Sequence, residues 1–209
     1  MKNLVIAVVV SLLASSCSQG PSLKSYDNPD IGLHITYPET WQVVKKETVK
    51  NAIAEAEKHM TISQENIDVA QELAPSIILT LAKPQKVAGS TGTPNVNVFV
   101  ISIPEDEWGD VDLDSLVKEQ IEEIEVSFPE AEVTTDVFPL PDYPTIHHYS
   151  SRIPVQGRTV TQYMYLYWHP PYFVQIAFSF SDPDDEREIK EIIGSMKIES
   201  SGKPEAAND

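Results

Sequence analysis

The apolar pattern of this 209-residue chain predicts an α+β fold, a mainly antiparallel β-sheet with helices packed on both faces. Three observations carry the expectation. Residues 95–103 are apolar in both registers: Phe99, Ile101 and Ile103 face one way and Val96, Val98 and Val100 the other. Such a strand must be covered on both sides. Long alternating runs at 158–169 and 172–180 succeed each other across Pro170-Pro171, and Gln156-Gly157 marks a tight hairpin turn before them. By contrast, Leu113, Leu116, Val117, Ile121, Ile124 and Phe128 recur at three and four residues, the spacing of a helix with one buried stripe.

The other elements follow in chain order. Ile31, Leu33, Ile35 and Tyr37 alternate with Gly32, His34 and Thr36, which predicts a strand. Pro38-Glu39-Thr40 turns the chain into Trp41-Gln-Val-Val44, a second strand or the run-in to a helix. Helical spacing runs through Val49, Ala52, Ile53, Ala56 and Met60, resumes at Ile67, Ala70 and Leu73, and stops at Pro75. Residues 76–82 are strand-like, and 84–94 form a glycine-containing loop. After the helix at 113–128 come strands at 131–138 and 146–154, separated by a corner of prolines 139, 141 and 144. The last helix opens on Ser181-Asp182-Pro183-Asp184-Asp185, with a cap, a first-turn proline and acids at the positive dipole end. Ile189, Ile192, Ile193 and Met196 give it a buried stripe. The predicted order is β-β-α-β-β-α-β-β-β-β-α.

Upstream of this domain, Lys2 precedes an apolar run from Leu4 to Ala14, then Ser15-Ser16 and Cys17, the only cysteine. A charged start, an apolar run and a small-residue exit describe a secretory signal, and the run is far shorter than the roughly 20 residues of a membrane-spanning helix. With a single thiol no disulfide forms within the chain. The segment resembles a bacterial lipobox, which implies acylation of Cys17 and attachment to the lipid bilayer. Ser18, rather than aspartate, follows the cysteine, and the resemblance then implies the outer membrane of a Gram-negative envelope, facing the periplasm. The division expected is a signal peptide at 1–16, a lipidated N-terminus and flexible tether at 17–28, one domain at 29–198 and a disordered polar tail at 199–209.

A formal charge of -17, from 15 basic and 32 acidic residues, disfavours nucleic acid as a partner. It favours basic proteins, polycations and divalent cations.

The stretch Tyr26-Asp-Asn-Pro-Asp-Ile-Gly-Leu-His-Ile-Thr-Tyr-Pro-Glu-Thr-Trp41 resembles the opening of PsbP-like domains, with a strand followed by a Pro-x-x-Trp turn. The hairpin-rich second half and the closing helix are similar to that α/β/α sandwich too. DcrB-like bacterial lipoproteins share this type. The resemblance implies an accessory role and brings no catalytic residues with it.

The search for chemistry is consistent with that. His147 and His148 are adjacent on a strand and point to opposite faces, so they do not chelate one ion together. Asp110-Val-Asp-Leu-Asp114 opens like a calcium loop, but Ser115 and Ile121 stand where the glycine and bidentate glutamate belong, so a helix cap is the better reading. There is no nucleophile elbow, zinc-protease motif or phosphate loop. No catalytic residue, metal ligand or cofactor is assigned. Tyr163, Tyr165 and Tyr167, followed by His169, share one face of a strand and are the candidate ligand or partner face, with filling of the sheet–helix layer as the plainer account. The sequence thus predicts a membrane-anchored, non-enzymatic accessory lipoprotein that contacts an envelope protein. The alternative is a small-molecule or metal-ion carrier or sensor.

Overall fold

The computed structural model describes residues 22–45, 47–48, 76–84, 94–135, 146–155 and 157–199. Two antiparallel sheets organise them. Strands β1 (Leu23–Asn28), β2 (Leu33–Pro38) and β10 (Lys197–Ile198) form a small sheet in the order β1-β2-β10. The large sheet has the order β3-β4-β5-β9-β8-β7-β6. Its strands are β3 (Gln42–Val43), β4 (Ile77–Ala82), β5 (Asn95–Ser102), β6 (Glu132–Thr134), β7 (His147–Val155), β8 (Arg158–His169) and β9 (Tyr172–Phe180). Helix α1 (Leu113–Ser127) packs on one face, against β7 and β8, while α2 (Pro183–Ser195) packs between β2 and β9 on the other.

The predicted hairpins are present. Gly157 takes a left-handed φ of 77°, and the two-residue turn sets Val155 opposite Arg158 and Ile153 opposite Val160. The capping argument holds at both helices. Asp182 accepts from Asp184 N–H at 2.9 Å with Pro183 behind it, and Asp112 accepts from Asp114 N–H at 3.1 Å and Ser115 N–H at 3.4 Å. Ile189, Ile192 and Ile193 are fully covered, each such side chain contributing about 1.5–3 kcal/mol of apolar burial. They meet Ile35, Leu81, Val96, Val98, Tyr165 and Phe178 in the larger core. The second core, under α1, gathers Tyr149, Met164, Leu166, Phe173 and Ala177.

Coverage of β5 is unequal. Val96 and Val98 are fully buried toward α2, as expected of a two-sided strand, but Ile101 on the other face is 36% exposed.

Two boundaries differ from the sequence reading. The tether expected through residue 28 ends earlier, because Leu23–Asn28 is a strand paired residue by residue with β2, from Leu23 opposite Pro38 to Asn28 opposite Leu33. Its side chains are mostly in water and therefore look like linker, while its backbone pairs with β2 along its whole length. Likewise the chain continues past α2 into β10, and Glu199, read as the first tail residue, donates its N–H to the Gly32 carbonyl at 2.8 Å. The leader with Cys17, the helical spacing at 49–73, the proline corner at 139–144 and residues 200–209 lie outside the described residues.

Candidate functional site

Strand alternation sends Thr159, Thr161, Tyr163, Tyr165, Tyr167 and His169 of β8 to the α2 face. The predicted tyrosine row is therefore real, but most of it is closed. Tyr165 is fully buried, stacked on His148 at 6.0 Å between ring centres and edge-on to Phe178 at 5.7 Å. Tyr167 is buried and donates its hydroxyl to the Ile31 carbonyl at 3.0 Å. Burial pushes both phenols well above their ordinary pKa, so they stay protonated. These two rings fill the layer between the sheets instead of lining a cleft, because α2 and the small sheet cover this part of β8. His169 stands at the far end, its Nδ1–H donated to the Glu199 carbonyl at 3.1 Å, and serves to hold the segment after β10.

Tyr163 differs. It lies where α2 begins, half-buried, its ring 5.5 Å from Phe180 and its hydroxyl donated to Glu186 Oε1 at 2.8 Å. The same carboxylate takes an ion pair from Lys190 at 2.8 Å, and the two bonds hold Glu186 below the usual carboxylate range. Beside Tyr163 opens a groove of about 440 Å³, bounded by Arg152, Thr159, Thr161, Phe180, Ser181, Pro183 and Glu186. Sequence reasoning passed over Arg152 and the two threonines. A signal was available: the Gln156-Gly157 turn fixes the register, and that register puts Arg152 opposite Thr161 and two pairs along from Tyr163, on the same face.

A second polar centre closes the edge of the large sheet. Lys83 Nζ donates to Asp185 Oδ1 and Glu188 Oε1, both at 2.9 Å, and Trp41 Nε1 donates to Glu188 Oε2 at 3.0 Å. Burial pulls the Lys83 pKa down, but the two carboxylates outweigh it and the net direction is up. At Glu188 burial pushes up, while the Trp41 and Lys83 bonds outweigh it and the net direction is down. The ammonium and carboxylates are thus paired and satisfied, an arrangement that locks α2 to β4.

The third feature is α1. Its inner stripe is half-buried, and none of its residues is fully buried. On its outer face Glu119, Glu122, Glu123 and Val126 are spaced as neighbours along one helical row, and Val126 is 81% exposed. Phe128, just past the helix, is 39% exposed. The last turn carries no basic residue, so the helix dipole meets glutamates at its negative end.

The histidines go to separate places: His34 contacts Asp27, His147 faces Asp114 at 3.1 Å, and His148 packs on Tyr165. As expected, His147 and His148 point to opposite faces. Asp112, in the segment that opens like a calcium loop, is committed to its cap, also receiving the Ser115 hydroxyl at 2.7 Å. Among the described residues no group of three or more His, Cys, Asp or Glu side chains is placed to hold a metal ion. No helix among them is long and apolar enough to cross a membrane.

The fold has clear structural neighbours. No family model and no curated protein matches the sequence. The solution structure of cyanobacterial PsbP (CyanoP) from Synechocystis aligns over 90% of this chain and 99% of its own, with a TM-score of 0.50 at 13% identity. LpqN of Mycobacterium tuberculosis, described as involved in cell envelope biogenesis, aligns over 86% of this chain and 91% of its own, with a TM-score of 0.49 at 10% identity. The Saccharomyces cerevisiae Ran-binding protein Mog1p reaches 0.44 at 9% identity, over 85% of this chain and 96% of its own. The first of these alignments shows a PsbP-like fold.

Proposed function

We propose that this chain is an envelope lipoprotein, held at the outer membrane by acylated Cys17, whose domain is a non-enzymatic accessory module binding another envelope protein. The observation that carries the partner half of this reading is the outer row of α1. Glu119 and Glu123 lie beside the exposed Val126, and Glu122 has only the exposed i,i+4 pair with Lys118 at 3.7 Å, so a partner with a basic, partly apolar surface complements the acids and covers the valine. The anchor half rests on the leader, the lone cysteine and the lipobox resemblance. Acylation with two or three chains anchors stably where one alone is marginal. A carrier or sensor of small molecules is the second reading, and the groove beside Tyr163 is what favours it, its volume falling among those of ligand pockets.

Replacing Cys17 with serine is expected to abolish acylation and move the protein out of the membrane fraction without unfolding the domain. Fractionation with fatty-acid labelling, and a mass measurement to detect an uncleaved leader, checks this. A wild type that takes up no label, with a mutant that stays membrane-bound, sinks the anchor. For the partner half, a photoreactive residue at position 126 in the native host is expected to crosslink one defined protein. Neutralising Glu119, Glu122 and Glu123 to glutamine should reduce the yield about tenfold, as for loss of a steering field. No crosslink from position 126 removes α1 from the interface, and a yield unchanged by neutralisation removes the glutamates from recognition.

A further inference from the structure

The groove between β8 and the start of α2 has an unbalanced set of polar groups. Its one carboxylate, Glu186, is already engaged by the Tyr163 hydroxyl and the Lys190 ammonium, each at 2.8 Å. Its donors are largely unspent. Arg152 makes one ion pair, with Glu132 at 3.3 Å, in which both side chains are more than half exposed, and its charge also reaches Glu186 across the groove. Such a pair is worth little and exchanges readily. The hydroxyls of Thr159, Thr161 and Ser181 have no side-chain partner among the described residues and border the same space. The walls are apolar: the Tyr163 and Phe180 rings and the Pro183 ring.

A planar guanidinium with free N–H groups, flanked by hydroxyls, matches a carboxylate, which accepts two parallel hydrogen bonds from the fork. The adjoining rings match an aromatic or aliphatic body on the same molecule. The geometry points to a binding site, at this groove, for a carboxylate borne next to an apolar or aromatic group, with Arg152 as the anion clamp and Tyr163 and Phe180 as the apolar wall. Two sources present that chemistry: a free organic acid, and the C-terminal residue of a protein. The site goes beyond the anchored accessory role and is tested without reference to membrane attachment.

The experiment is a titration of the isotope-labelled mature chain, followed by amide shifts. One arm uses N-acetyl-phenylalanine and its amide. The other uses the tripeptide Ala-Ala-Phe with a free or an amidated C-terminus. Shifts are expected at residues 152, 159, 161, 163 and 181 with the free acids, and Arg152→Gln should weaken binding about tenfold, the loss of one charge-assisted fork. Arg152→Lys, which keeps charge but loses the fork, should fall between. Stronger binding by the tripeptide identifies a chain terminus as the source, and equal binding identifies the acid alone. The site is overturned if the amides bind as tightly as the acids, if Arg152→Gln binds like wild type while retaining its folded spectrum, if the shifts map elsewhere, or if millimolar acid shifts nothing.

Discussion

Trp41→Ala is expected to destabilise the domain by about 3–5 kcal/mol, the range for removing a large aromatic side chain from a well-packed core. Trp41 is fully buried, in the same cluster as Leu81, Ile192 and Phe178. Its loss does two things at once. A cavity opens beneath α2, and Glu188 loses the indole N–H that helps to hold it ionised. Trp41→Phe separates the two: it keeps most of the ring and drops only the donor, so the expected loss is about 1–2 kcal/mol. Urea unfolding followed by far-ultraviolet circular dichroism measures both. If the alanine and phenylalanine variants unfold at the same concentration, the ring contributes nothing and the core assignment of Trp41 is wrong. The pH dependence follows from the direction of the Glu188 shift. A carboxyl depressed in the folded state contributes stability that is present above its unfolded pKa and is lost as pH falls through the folded value. That acid-sensitive contribution should shrink in both variants.

The second large effect is at Gly32. Its φ of 62° is left-handed, and a Cβ placed there would sit 2.5 Å from the Glu199 carbonyl oxygen and 2.9 Å from the His169 ring. Neither neighbour moves freely. The oxygen is backbone, and it accepts the His169 Nδ1–H. Gly32→Ala is therefore expected to lose about 2–4 kcal/mol, from the backbone conformation and the displaced segment at Glu199 together. Amide exchange at Glu199, whose N–H bonds to the Gly32 carbonyl at 2.8 Å, should accelerate more than exchange in β9. Equal acceleration everywhere would mean that the residue acts through global stability alone.

Legibility in the sequence followed a simple division. Where side-chain pattern and backbone pairing coincide, the reading came through: β8 and β9 were placed to the residue, α2 was placed with its capped, proline-led start and isoleucine stripe, and the PsbP-like resemblance fits the CyanoP alignment. Where the two part company it did not. Leu23–Asn28 shows a polar exterior and hides a complete ladder, and the two residues of β10 are too few to carry any periodicity. The candidate face was half legible. Alternation put the tyrosines on one side of β8, but nothing local to that strand says that α2 and the small sheet close over Tyr165 and Tyr167 and stop short of Tyr163. The cover comes from elements far away in sequence, and register alone would have brought Arg152 to the groove.

The small sheet has a further consequence, for the order of synthesis. Its central strand, β2, is bordered on one side by β1 and on the other by β10, near the other end of the described chain. The core side of β2 is covered by α2, more than 140 residues downstream. A ribosome therefore emits β2 long before either of its late neighbours exists, and contacts so distant in sequence form slowly. The nascent chain has an early hairpin with no lid and no third strand. Completion of the fold waits for the final turn of α2 and for Lys197 and Ile198 to emerge.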